Sequence, residues 1–300
     1  MSGSNKRKAG AGEGDASDSG SDVDMISVDF VFNAPAEIDY QALKRLFVQL
    51  FYTHAPKLDA GLIADYIINT SKDRGVGTVI KVQDDEDNDP FAVVSAGRIA
   101  ADSPESISQI TKLFLECVPK TAPLHDLLSK ACSCTAEGAT LILHERMINM
   151  PAAVASPLYR LLNEELDQLY AKGEPKPSHY LLFSRVFAAA ALSSDEEMED
   201  EAATAGKAGK RRRKAGAKAT GTASMAKASS LPDGDDMGMF HPEDAIISKH
   251  ASHTCTFRFP PPRDAADSFE TPLFGRLVAV PREKWPAAVK EMEEAFAGGA

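Results

Sequence analysis

Five carboxylates fall in six positions at Asp84, Asp85, Glu86, Asp87 and Asp89. Like charges that close repel one another unless water or a cation-rich partner screens them. Contact with a basic protein is one use for such a stretch, and a solvated turn or an opportunistic calcium site is the competing one. Arg74-Gly75-Val76-Gly77 begins like a loop that cradles phosphate, but the backbone N–H groups of such a loop must sit at a helix N-terminus. Here the glycines run into an apolar alternation that reads as a strand, so no cofactor is assigned. His144 and Glu145 are an acid–base combination, yet strand neighbours point to opposite faces, which makes His144 a core or edge histidine. Cys132-Ser133-Cys134 and His250, His253, Cys255 hold metal-ligand residue types without the paired spacing of a structural zinc site. No catalytic, cofactor-binding or metal-ligating residue follows from these spacings.

A second charge feature lies at Lys207, Lys210, Arg211, Arg212, Arg213 and Lys214, just after an acidic run from Asp195 to Glu201. A dense basic run in an exposed segment suits a nuclear-import receptor, whose acidic groove takes an extended peptide. An RNA-contacting arm is the alternative, but no aromatic residue is interleaved for base stacking. Ser193 and Ser194 precede acids in the manner of acidic-directed kinase sites, where phosphate would add negative charge.

The elements that position these groups alternate between the two periods. Met25 to Phe32 alternates as a strand. Asp39 stands before a helix with Tyr40, Leu43, Phe47, Leu50 and Phe51 on one face. A second helix follows Asp59, with Leu62, Ile63, Tyr66 and Ile67. Val76 to Val82 and Phe91 to Ser95 predict a β-hairpin whose tip is the acidic stretch. Ser103-Pro104 opens a helix that ends at the prolines 119 and 123, and a shorter one spans Leu124 to Cys132. Thr140 to His144 is an apolar run bounded by Gly138 and the charged Glu145-Arg146, which reads as a buried central strand. Ser156-Pro157 supplies an N-cap and first-turn proline to a helix over 157–171, whose leucines must dock on a sheet. Strands at 180–187, 250–259 and 276–280 and a helix from Pro286 complete the chain, with the low-complexity stretch 193–236 expected as a long hairpin connection between the first two.

Particular residues also carry a family resemblance. Glu145 to Pro151, followed by Pro157-Leu158-Tyr159, resembles the signature of the BCCIP family of eukaryotic nuclear proteins. The resemblance returns at Asp39 to Phe47, Val76 to Lys81, Asp89 to Ala92 and Phe257 to Phe259. It implies an α/β fold similar to GNAT acetyltransferases without the activity. It also implies a ribosomal-protein chaperone whose client is the large-subunit protein of the uL-fourteen type, export of a lipid kinase, and, in animals, links to DNA repair and cell-cycle inhibition. The quoted motifs are packing and turn residues, so they mark a family better than a mechanism.

Composition sets the outer limits. Of 300 residues, 1–24 and 193–236 have the polar, low-complexity make-up of disordered segments, leaving 25–192 with 237–297 for one α/β domain, a mostly sequential mixed sheet flanked by helices. The net charge is −11, of which about −8 belongs to that domain. Such a body is repelled by bare DNA and attracted to basic proteins, although acidity also serves plain solubility. Four scattered cysteines and the lack of an apolar leader point to a reducing compartment, and no apolar run is long enough to span a membrane. The expectation is a monomeric, non-enzymatic nuclear adaptor that shuttles to the cytoplasm and contacts a basic client through Asp84 to Asp89. The competing expectation is an acetyl-coenzyme A dependent transferase.

Overall fold

A computed structural model describes residues 28–134, 138–188, 237–261 and 272–297. Strand β1 (Phe30–Asn33) leads into helix α1 (Tyr40–Phe51) and helix α2 (Ala60–Arg74). Asp59 caps α2 by accepting from the Gly61 and Leu62 amides, and Gly75 ends it in the left-handed conformation at φ 67°. Strands β2 (Thr78–Val82) and β3 (Ala92–Ile99) form the expected hairpin. Helices α3 (Glu105–Cys117) and α4 (Pro123–Ser133) precede the central strand β4 (Ala139–Arg146). Helix α5 (Ala155–Ala171), strand β5 (His179–Ala188), the short strand β6 (Met237–Met239) and helix α6 (Pro242–Lys249) follow. Strand β7 (His253–Arg258), strand β8 (Leu273–Pro281) and helix α7 (Trp285–Phe296) close the fold.

The strands make one mixed sheet in the order β1-β2-β3-β4-β5-β8-β7, with β6 added beside β5. Among the described residues only β4 and β5 run parallel; every other pair is antiparallel. Alternation along the strands sends Leu141, Leu143, Leu181 and Phe183 to one face, under Phe47, Phe51, Ile67 and Phe114 of α1 to α3. Ile142, Tyr180, Leu182 and Val278 face the other way, onto Leu158, Tyr159, Leu162, Trp285 and Met292 of α5 and α7. The molecule is thus a single α/β domain of three layers, helix, sheet and helix.

Several expectations are corrected. β5 does not neighbour β7: β8 lies between them, and the strand that answers β5 across residues 189–236 is β6. β8 is buried on both faces, as an inner strand must be, whereas β7 exposes Thr254 and Arg258, as an edge strand does. Glu145 and Arg146 do not bound β4 but complete it, both buried. Ser156 lies inside α5, which starts one residue earlier without a side-chain cap. Asp39 precedes α1 yet bonds backward to the Ala36 amide and sideways to the Lys81 ammonium at 2.6 Å, a buried pair. Leu62 lies on the solvent side of α2, and β1 begins at Phe30; residues 25–27 lie outside the described residues.

Candidate functional site

The parallel pair β4–β5 is the place where this sheet opens. Its register covers Thr140 with Tyr180, Leu141 with Leu181 and Ile142 with Leu182, and stops there. Beyond it β4 continues along β3 as far as Arg146, while β5 continues along β8 as far as Phe187. In open α/β sheets a crevice between diverging strands is where ligands bind. In this protein side chains occupy it.

His144 spans the opening by donating from Nε2 to the Phe183 carbonyl at 3.0 Å. Glu145 Oε1 receives Arg185 at 2.9 Å, His241 at 3.4 Å and the Gln49 amide of α1 at 2.9 Å. Toward α5, Arg146 makes a bidentate pair with Glu243 of α6, at 2.6 and 3.0 Å. Its remaining nitrogen donates to the Met150 carbonyl at 2.9 Å, which ties down the turn after β4. Asp244, beside Glu243, is 1% exposed, and neither carboxylate oxygen meets a donor in hydrogen-bond geometry. Arg146, Arg185 and His241 thus meet Glu243 and Glu145, and partnering of this kind is what keeps buried charge tolerable, while Asp244 is buried without a donor.

The protonation states follow from these neighbours. Burial, then the charge on His241, pushes His144 down to about 4, so it is a neutral hydrogen-bond donor. Burial also disfavours charge on His241, but its bond to Glu145 and the Asp244 and Glu243 carboxylates outweigh that and raise its pKa. Burial would raise Glu145, yet His241 and Arg185 hold it below its usual range. Burial and then repulsion from Glu243 push Asp244 up to about 7, with His241 and the nearby Ser184 hydroxyl opposing. A catalytic acid and base need a substrate within reach, whereas these groups are spent on one another.

The acidic stretch is the tip of the β2–β3 hairpin. Asp84, Glu86 and Asp87 are exposed, Asp85 and Asp89 partly so. Asp84 and Asn88 take positive φ of 61° and 50°, as residues of a tight turn do. Asp89 pairs with Arg45 of α1; the other four carboxylates make no ion pair among the described residues. The basic run Lys207, Lys210, Arg211, Arg212, Arg213 and Lys214, together with Ser193 and Ser194, lies outside the described residues.

The remaining candidates resolve into packing roles. Gly75 ends α2 and the Gly77 amide donates to Glu165 of α5 at 2.8 Å, so these amides are engaged by the protein itself. His250 donates to Glu291 at 2.7 Å, and the His253 ring stacks on His179. Among the described residues no three His, Cys, Asp or Glu side chains converge as a metal site. None of the described helices is long and apolar enough to cross a membrane.

Sequence reasoning missed the network from Arg146 to Asp244. A signal was present: Arg185 interrupts an apolar strand, and a charge there requires a buried partner. That partner is Glu145, forty positions back on β4, and the partner of Arg146 comes from α6, ninety-seven positions on.

Comparison with known proteins agrees with this fold. A family model described as BCCIP matches residues 25–247. The protein BCP1 of Mycosarcoma maydis is 45% identical, with 92% of this chain and 91% of that one covered. The protein bcp1 of Emericella nidulans is 30% identical, with 94% and 91% covered. The crystal structure of BCP1 from Saccharomyces cerevisiae superposes with a TM-score of 0.56 at 20% identity, covering 95% of this chain and 96% of that one, which speaks to the fold alone.

Proposed function

The chain belongs to the BCCIP family, and from that membership we propose that it is a nuclear chaperone and adaptor for a basic ribosomal protein, of the uL-fourteen type, working by charge and not by catalysis. The observation that carries this reading is the β2–β3 tip, where Asp84, Asp85, Glu86 and Asp87 project without a cationic partner among the described residues. A lysine- and arginine-rich client would be held there until ribosomal RNA, with a denser negative field, takes it over.

The competing transferase reading needs a cofactor seat. A mixed, mostly sequential sheet with helices on both faces suits the GNAT-like shape that the family resemblance implies, and shape alone carries no activity. A coenzyme entering the opening between β4 and β5 would meet His144, Glu145 and Arg185, which bond across it. Family membership and this filled crevice are consistent with a non-enzymatic scaffold.

Within the same reading, 25–192 with 237–297 act as the folded body, and 1–24 and 193–236 as polar tails. Lys207 to Lys214 serve as an import signal, and a lipid kinase is a further exported partner. The protein works as a monomer that shuttles between nucleus and cytoplasm. The test is to mix it with a purified uL-fourteen-type ribosomal protein: the account expects a soluble complex that raised salt dissociates. A client that precipitates regardless, with no complex on a sizing column, overturns it.

A further inference from the structure

The turn that follows β4 exposes apolar side chains on a frame held rigid from beneath. Met147 is 39% and Ile148 56% exposed, and Val48 of α1 is 49% exposed. Isolated surface apolar residues are ordinary, but here contacts tie the two elements together: Arg45, one turn before Val48 on α1, pairs with Asp89, and Gln49 bonds Glu145 of β4. The Met147 amide donates to the Phe91 carbonyl at 2.9 Å, which seats the turn beside the start of β3. Val48 lies between Arg45 and Gln49, and Glu145 stands two residues before Met147.

The frame is the unusual part. Buried Arg146, fixed by Glu243, donates to the Met150 carbonyl at 2.9 Å and to the Met147 carbonyl at 3.4 Å, clasping the turn from both ends. A buried guanidinium is a costly device for a loop whose side chains face water. Rigid presentation lowers the ordering cost of binding, which is how a small apolar contact becomes useful.

We propose that Met147, Ile148 and Val48 form a docking surface for a cationic segment of a partner protein that carries apolar residues between its lysines and arginines. This deepens the chaperone reading and rests on it for the identity of the partner. Charge selects the occupant: the acidic tip runs from Asp84 to Asp89 and ends two residues before Phe91, whose carbonyl holds the Met147 amide, so the carboxylates lead directly into the strand start that seats this turn. A second copy of this chain would set two acidic tips against each other, which opposes self-association.

The test uses the full chain and two synthetic peptides of equal charge, one with lysine and leucine at helical spacing, the other with serine replacing leucine. The wild type is expected to bind the leucine peptide about tenfold more tightly. That preference should fall to within about twofold in Met147→Ser/Ile148→Ser, and should shrink in Val48→Ser, which lies on a separate element. All three positions are exposed, so unchanged melting temperatures certify folding. Equal affinity for both peptides, or a preference that survives both variants, overturns the proposal. So does a wild type that self-associates in sedimentation and becomes monomeric on Met147→Ser/Ile148→Ser, since a second copy would then be the occupant. Should the peptides discriminate while the ribosomal protein fails to bind, the surface stands and the assigned client falls.

Discussion

Arg146 on the central strand and Glu243 on α6, ninety-seven positions apart, form a bidentate ion pair buried on both sides, at 2.6 and 3.0 Å. The pair fastens the segment after residues 189–236 to the segment before it, next to the His144 and Glu145 contacts that bridge β4 and β5. Together they explain why a sheet with a diverging parallel pair keeps a packed interior.

Removing one partner should therefore be far worse than removing both. Glu243→Ala leaves a buried, unpaired guanidinium and is expected to cost about 3–5 kcal/mol. Arg146→Met with Glu243→Met should recover most of that loss. Urea unfolding of Arg146→Met, Glu243→Met and the double variant checks this, and a double-variant loss equal to the sum of the two single losses would show that the pair is not coupled.

Asp244 sets an opposite dependence. Its pKa in the fold is about 7 against an ordinary 3.8, raised by burial and by Glu243, with His241, Glu145, Ser184 and Arg276 also facing it. A carboxyl raised by folding stabilises the fold fully below its unfolded pKa, and that stability drains away as pH rises from about 4 to about 7. Asp244→Asn should thus leave stability at pH 4 nearly unchanged and add a few kcal/mol at pH 8, since each tenfold change in proton affinity is worth about 1.4 kcal/mol. Melting curves across that range would show the gap widening with pH.

His144 tilts the balance the other way. Held neutral by burial and by His241, with a pKa of about 4, it stabilises the fold fully above about 6.5. That contribution is lost as pH falls through its folded pKa. A His144→Gln variant, which keeps a donor toward the Phe183 carbonyl, should lose less stability than the wild type between pH 6.5 and 4. An identical acid profile in the two proteins would refute the buried neutral imidazole.

Acetyl-coenzyme A should leave the melting temperature unchanged up to millimolar concentration, because side chains fill the crevice a cofactor would need. A saturable rise would return the transferase to consideration.

Much of this fold was legible in the chain. Alternation gave the β2–β3 hairpin, and the leucine spacing of α5 gave a helix docked on the sheet, because both signals are local. Strand order was not local: that β8 separates β5 from β7 depends on which strand can be buried on both faces. Glu145 and Arg146 read as a strand boundary because charge normally marks one, and only Arg185, His241 and Glu243 make their burial tolerable. The acidic tip was plain from sequence as a turn; that Asp84 to Asp87 make no ion pair among the described residues needed coordinates.

The central claim is electrostatic escort, and salt reports on it most directly. Affinity for the purified uL-fourteen-type protein should be measured at several salt concentrations for the wild type and for Asp84→Asn/Asp85→Asn/Glu86→Gln/Asp87→Asn. All four positions lie on the surface, so the variant's folding stability should stay within about 0.5 kcal/mol. The account predicts a steep fall of wild-type affinity with salt, and a variant that binds more weakly at low salt with a shallower slope. Equal affinity and equal slope in the two proteins would contradict it.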